Sequence, residues 1–326
     1  MTVPEFIANM PHTRTIPLII AHRGASGYLP EHTLEAKAMA HALRADFLEQ
    51  DLVLTKDSVP IVLHDLYLDT VTDVARLFPQ RARDDGRFYA IDFTLEEIRQ
   101  LRVTERFRPE TGQAVFPNRF PAGVGQFRIS TLEEELAFIQ GLNRSTRRDA
   151  GIYPEIKQPA FHRAAGQDIS RIVLEVLTKF AYVSGDDPCF LQCFDMEELR
   201  RIREELGSRL RLIQLLDEQQ CQKSLVDAET LHCDLSIIAK YAHGIGPSLS
   251  GVFQNRSPTR LVSSAHEMGL VVHPWTYRAD AVAAGFPSFG ELHEASAALE
   301  VDGVFTDFPD QTRVLMLQSR NSTRMG

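Results

Sequence analysis

The chain has 326 residues and a formal net charge of −9, with 44% hydrophobic and 24% charged residues. These proportions suit a soluble globular protein with a large core, and an acidic chain without a Lys/Arg-rich run argues against a nucleic-acid surface. No stretch reaches the ~18 apolar residues of a spanning helix, and the four cysteines (Cys189, Cys193, Cys221, Cys233) form no CxxC pair and are too few for a disulfide scaffold.

The first twenty residues lack a basic segment followed by a long apolar run, so the chain as written reads as cytoplasmic. It would be periplasmic if a signal had been removed ahead of it. Short apolar, β-branched runs then alternate with helical patterns. The predicted strands are Pro17–His22, Phe47–Thr55, Pro60–His64, Gly151–Lys157, Cys189–Phe194, Leu210–Leu216, Gly244–Ser248, Leu270–Thr276 and Val304–Asp307. Most lack polar alternation, as strands buried on both faces of a parallel sheet do. Cys189 and Cys193 read as small hydrophobes on or beside one of them.

Between the strands lie helix starts. Thr94-Leu-Glu-Glu97 and Thr131-Leu-Glu-Glu134 are capping-box patterns, and Asp195-Met-Glu-Glu198 opens a helix directly after a strand. This alternation predicts an α/β fold, either a (β/α)8 TIM-type barrel or a doubly wound sheet. Barrels of ~250 residues are common, so on length alone one barrel with one insertion fits residues 1–326 as well as two domains would, and the single domain is the reading adopted. Nine strands exceed the eight slots of a barrel. Phe47–Thr55 and Pro60–His64 are too close for a helical crossover, so one element pairs antiparallel or lies outside the barrel. Leu66 to about Ser130 breaks the rhythm and reads as an insertion over one end of the barrel.

Functional groups gather at the strand ends. His22 and Arg23 follow the first strand, and Glu49 and Asp51 share one face of the second. His64 ends the third, and Glu155 and Lys157 share a face of the next. Gln192 and Phe194 follow, then His273, Trp275 and Tyr277. Taken singly, each has a plain structural reading: a core histidine, a solvated strand edge, an ordinary ion pair. Four strands carrying such groups at one end are better explained by the C-terminal mouth of a barrel, where active sites are built. Three buried carboxylates repel one another unless a cation sits among them, and an all-oxygen set selects a hard ion such as Ca²⁺ or Mg²⁺. His12, His41, His162, His232, His243, His266 and His293 follow no pattern and read as surface or structural.

These residues also fall into motifs. His22-Arg23-Gly24 followed by Pro30-Glu31-His32-Thr33 resembles the HR(x)nEN signature of the glycerophosphodiester phosphodiesterase family. His32 stands where the usual Asn does, a departure associated with the larger, periplasmic bacterial subtype. Leu48-Glu-Gln-Asp-Leu-Val-Leu-Thr-Lys-Asp57, Val62-Leu-His-Asp65, Tyr153-Pro-Glu-Ile-Lys157 and Thr306-Asp-Phe-Pro309 resemble further family motifs, in the family order.

The resemblance implies that Glu49, Asp51 and Glu155 ligate one divalent cation, Ca²⁺ in that subtype, with Mg²⁺ or Mn²⁺ as alternatives. It implies that His22 and His64 are the acid–base pair and that Arg23 and Lys157 contact the phosphodiester. Phe194 and Trp275, with Gln192 and Tyr277, would form the glycerol side, and Glu31 would orient His22 or the loop. The expected reaction is hydrolysis of glycerophosphocholine, glycerophosphoethanolamine and similar diesters to glycerol 3-phosphate and an alcohol. Two other readings stand beside it: a lysophospholipid- or phosphoinositide-directed phosphodiesterase on the same barrel, and a non-catalytic barrel that binds a phosphorylated ligand. No nucleic-acid partner and no stable membrane insertion are expected.

Overall fold

A computed structural model describes residues 16–221 and 235–323. Cys233, His12 and His232 lie outside the described residues. The expected α/β barrel forms. Eight parallel strands make up its wall: β1 (Leu18–Ala21), β2 (Phe47–Leu54), β4 (Gly151–Ile156), β5 (Phe190–Cys193), β6 (Arg211–Leu216), β7 (Gly244–Pro247), β10 (Val271–Val272) and β11 (Gly303–Thr306). Their order is β10-β7-β6-β5-β4-β2-β1-β11.

The supernumerary strand is β3 (Pro60–Val62), which turns back antiparallel on β2 and takes no place in the ring. A small antiparallel ribbon, β8 (Phe253–Gln254) with β9 (Ser257–Pro258), also lies apart. Leu270–Thr276 is regular strand only at Val271–Val272, because Pro274 has no N–H to continue a ladder. The segment still closes the ring. His273 and Trp275 bond to Ile245 and Pro247 on one side, and on the other Phe305 donates to Pro274 and Tyr277 to Phe305.

Helices cover the outside. Thr94 and Thr131 both form full capping boxes, with Glu97 and Glu134, and the Asp195 side chain caps the helix Met196–Glu204. Alternation along each strand sorts side chains into two layers. Leu48, Leu52, Ile152, Ile156 and Leu191 face the helices. Phe47, Tyr153, Phe190, Ile213, Val271 and Phe305 fill the barrel interior, with ring centroids of Tyr153 and Phe190 5.0 Å apart. Cys189, Cys193 and Cys221 are free and buried. At ~25 cal/mol per Å² of apolar surface, these two layers supply most of the favourable folding energy.

Residues 63–130 build a second, smaller core. Leu68, Val71, Phe88, Phe93, Ile98, Val103 and Phe127 pack together and onto Val53 of β2 and Ile61 of β3. The segment holds only short helices, Val74–Leu77 and Leu95–Ile98 among them. It is anchored to the barrel through the β2–β3 hairpin. Among the described residues, no helix is long and apolar enough to cross a membrane.

Candidate active site

Strand register places the acidic groups. Asp51 on β2 is the parallel partner of Glu155 on β4, and Glu155 is the partner of Gln192 on β5. Glu49 lies two residues before Asp51, on the same inward face. One ligand oxygen from each of Glu49, Asp51 and Glu155 lies within 4.8 Å of the others, and all three residues are buried. Asp51 Oδ1 is buried without a hydrogen-bond partner. Three buried carboxylates, with an acceptor oxygen that makes no hydrogen bond and has only Lys157 Nζ at 3.6 Å, fit a hard cation, whose charge would offset their repulsion.

The charges confirm how crowded this corner is. Burial, then Asp51, pushes the Glu49 carboxyl well above the usual range. Burial also raises Glu155, to about 8, against the pull of Lys157. Asp51 goes the other way: burial acts to raise it, but Lys157 and the His32 bond hold it well below the ordinary value. Lys157 Nζ sits 2.8 Å from Glu155 and 3.6 Å from Asp51.

The loop after β1 brings in the first histidine. Ala21 pairs with Thr306 on one side and Leu48 on the other, so the next residue, His22, lies level with Asp307 and Glu49. His22 Nδ1 is 2.6 Å from Asp307 Oδ1, and Nε2 is 3.9 Å from Glu49 Oε2. Burial, then Arg23, lowers the ring to about 4, so it is neutral near pH 7. With Nδ1–H donated to the carboxylate, Nε2 is the accepting nitrogen.

Arg23 is left-handed, at φ 58°, and its N–H donates to Glu49 Oε2 at 2.7 Å. Gly24 follows at φ 89°, where a Cβ would lie 2.9 Å from the Ala36 main chain, so the turn requires glycine. His32, also left-handed, donates its Nε2–H to Asp51 Oδ2 at 2.7 Å.

The second histidine enters from outside the ring. His64 follows β3, and its Nδ1 lies 2.5 Å from Asp65 Oδ1. Burial, then Arg23 and Lys157, lowers it to about 3. His22 and His64 line one cleft of about 190 Å³ with Arg23, Glu49, Asp51, Glu155, Lys157, Gln192, Phe194 and Trp275. The expected acid–base pair, the three carboxylates, Arg23, Lys157, Gln192, Phe194 and Trp275 thus share this cleft, whereas Tyr277 does not line it. Gln192 donates to Glu49 at 3.2 Å, and the Phe194 and Trp275 rings meet edge to face at 5.8 Å.

Other expectations are corrected. Tyr277 is not at the mouth: it is fully buried, with its hydroxyl 2.8 Å from Ser296. His273 is buried in the barrel interior against the Tyr153 hydroxyl, at 2.8 Å. Of the two roles expected for Glu31, it does not touch His22, whose Nδ1 is taken by Asp307, but it does meet the loop after β1, accepting from Arg23 as well as from Arg106. Sequence reasoning missed Arg278, which lines the cleft and donates to Asp307 at 2.9 Å, and also Arg106 and Arg119 of the insertion. Nothing in their local sequence marks them, since arginines are frequent throughout that segment.

Residues 22–311 match the model of the glycerophosphoryl diester phosphodiesterase family. The chain is 43% identical to a glycerophosphodiester phosphodiesterase of Haemophilus influenzae, over 93% of this chain and 91% of that protein. It is 38% identical to one of Treponema pallidum, over 90% of each. In fold it is similar to a glycerophosphoryl diester phosphodiesterase structure from Silicibacter pomeroyi, with a TM-score of 0.71, 24% identity and 98% of both chains covered. It is also similar to a phosphodiesterase of Oleispira antarctica in complex with the product sn-glycerol-3-phosphate, with a TM-score of 0.65, 20% identity and coverage of 92% and 97%.

Proposed function

Because the chain belongs to the glycerophosphoryl diester phosphodiesterase family, we propose that its cleft hydrolyses small glycerophosphodiesters, such as glycerophosphocholine and glycerophosphoethanolamine, by two-histidine acid–base catalysis beside one divalent cation. That it is a glycerophosphodiester phosphodiesterase follows from the family and the 43% identity; the finer reading is ours. The single observation that carries it is the meeting of two carboxylate-braced histidines with three buried carboxylates in one cleft.

Glu49, Asp51 and Glu155 would hold the cation. We take it to be Ca²⁺, and Mg²⁺ and Mn²⁺ are the other ions such an oxygen set accepts. When bound, it supplies Lewis acidity to a phosphate oxygen or glycerol hydroxyl and neutralises charge. Arg23 and Lys157 would hold the non-bridging phosphate oxygens. Phe194 and Trp275 would pack on the glycerol carbons.

One histidine takes the proton of the glycerol hydroxyl next to the ester through Nε2. That oxygen attacks phosphorus, and the other histidine, which enters this step as imidazolium beside the bound anionic diester, gives its Nε2 proton to the departing alcohol. The product of this step is a cyclic glycerol phosphate. Water then opens the ring with the two histidines in exchanged roles, giving glycerol 3-phosphate. Imidazole suits both directions because it can take up and release a proton, one ring starting neutral as the base and the other protonated as the acid. Loss of either histidine is expected to lower kcat by ~10²–10⁴-fold.

Release of glycerol 3-phosphate from glycerophosphocholine tests this reading. It should stop with EDTA, return with a restored cation, and be lost in His22→Ala and in His64→Ala. Full activity in EDTA-treated protein, or in either variant, would refute it. Turnover of micellar lysolipid in preference to the soluble diester would favour a lipid-directed enzyme instead.

A further inference from the structure

The insertion reaches the cleft at two points, and each contact leads to one of the two histidines. Arg106 donates from NH1 to Asp65 Oδ2 at 2.6 Å, while its Nε and NH2 clamp Glu31 at 2.9 and 2.7 Å. The other oxygen of Asp65 faces His64 Nδ1. Arg119 donates from NH2 to Asp307 Oδ2 at 2.6 Å, and its Nε and NH2 bind Asp280 at 2.8 and 3.0 Å. The other oxygen of Asp307 faces His22 Nδ1. Arg119 is further fixed by the Phe116 ring, 3.6 Å from its guanidinium carbon to the ring centroid, and by the Ser26 carbonyl.

The two arrangements repeat each other. In each, a carboxylate holds a histidine with one oxygen and an insertion arginine with the other, an oxygen that also accepts from Thr70 at Asp65 (2.7 Å) and from Arg278 at Asp307 (2.9 Å). Both arginine side chains are largely buried, 15% exposed for Arg106 and 4% for Arg119. A carboxylate held by a histidine and one further single donor can still swing about its last torsion, whose wells are broad. A planar guanidinium on the far oxygen stops that swing, because its donors lie in a rigid fork.

We propose that the insertion is a working part of the catalytic centre, with Arg106 and Arg119 as positioning residues that set the rings of His64 and His22 through Asp65 and Asp307. This rests on the acid–base reading of the two histidines. Misplacement of a reacting group by about an ångström can cost ~10²-fold in rate, so the arginines act on turnover more than on substrate binding.

The test is two double-mutant cycles, Arg106→Met with Asp65→Asn and Arg119→Met with Asp307→Asn. Each is followed by kcat and KM for glycerol 3-phosphate release from glycerophosphocholine with saturating Ca²⁺, and by melting temperature. Each Met variant should lose ~10–100-fold in kcat with KM within ~3-fold. In the Asn background the same arginine change should cost under ~3-fold, because its route to the histidine is already cut. A kcat within ~3-fold of wild type, or a loss repeated in full in the Asn background, overturns the proposal.

Arg106→Lys and Arg119→Lys, which keep the charge and lose the fork, cover a Met variant that does not fold. They should lose kcat at an unchanged melting temperature; a kcat loss that only follows a fall in melting temperature overturns it. His22→Ala and His64→Ala run alongside. Activity in those two would remove the acid–base reading itself, whereas their loss with full activity in the arginine variants removes only this inference.

Discussion

Asp51 and Glu155 are register partners on adjacent strands, yet their carboxyls are driven in opposite directions. Asp51 is held well below its ordinary value, by Lys157 and His32 against the effect of burial, while burial lifts Glu155 to about 8. Glu49 is lifted too, by burial and by Asp51. Without an ion, the cluster therefore binds protons that an unfolded chain would release.

Cation binding must displace those protons, and this fixes a pH dependence. Affinity should rise with pH through about 8, the range in which Glu155 ionises. The metal-free fold behaves oppositely. A group raised in the folded state contributes stability below its unfolded value, and that contribution is lost as pH climbs through about 8. Calorimetric Ca²⁺ titrations at pH 7 in two buffers of different ionisation heat should reveal net proton release. Proton uptake, or an affinity flat between pH 6 and 8, would count against the three carboxylates as ligands.

Lys37 and Glu135 form a second charged pair, fully buried and 2.6 Å apart. Lys37 also donates to the Glu49 carbonyl, and Glu135 accepts from Gln50 at 2.9 Å. The pair thus ties β2 to the helices Leu34–Ala42 and Leu132–Thr146. Lys37→Met strands the Glu135 charge and should cost about 3–5 kcal/mol, whereas Lys37→Met with Glu135→Leu should recover most of it. Chemical denaturation of the three proteins measures this, and equal losses in single and double variants would contradict it.

Much of the site was legible because strand periodicity is a local property. Glu49 with Asp51, and Glu155 with Lys157, share a face by spacing alone, and the parallel sheet then aligns them. What could not be read were partners chosen by tertiary packing. Asp307 stands 285 residues from His22, and only barrel closure brings β11 beside β1. Arg106 and Arg119 sit in a segment with neither helical nor strand period, so no local pattern could aim them. His273 and Tyr277 misled for the same reason: they lie beside the strand end, but Pro274 breaks the alternation that would have shown which way they point.

Gly24 gives a sharper test of local geometry. At φ 89° a side chain is strained whatever the space, and here a Cβ would also lie 2.9 Å from the Ala36 carbonyl carbon. Gly24→Ala should cost about 1–3 kcal/mol and displace the turn that aims His22 and the Arg23 N–H. Both melting temperature and kcat should fall. A variant with wild-type stability would show that the turn can relax without cost.

His32 stands where the family motif has Asn, and two of its features can be separated by substitution. Its backbone is left-handed at φ 61°, a region Asn enters readily and β-branched residues avoid. Its ring meets Asp51 Oδ2 at 2.7 Å, which steadies a proposed ligand carboxylate from behind. His32→Ala removes that contact and should weaken Ca²⁺ binding by ~10–100-fold, the usual effect of losing a group that orients a metal ligand. His32→Asn keeps the backbone preference and an amide donor, so it should retain stability and lose less affinity than the alanine. His32→Val should be the least stable of the three, by about 1–3 kcal/mol, because it places a branched Cβ at a positive φ. Calorimetric Ca²⁺ titration and thermal melts of these variants decide it. If alanine and asparagine bind the ion as wild type does, the contact to Asp51 is structural only; if valine melts with the others, the backbone there is free to leave the left-handed region.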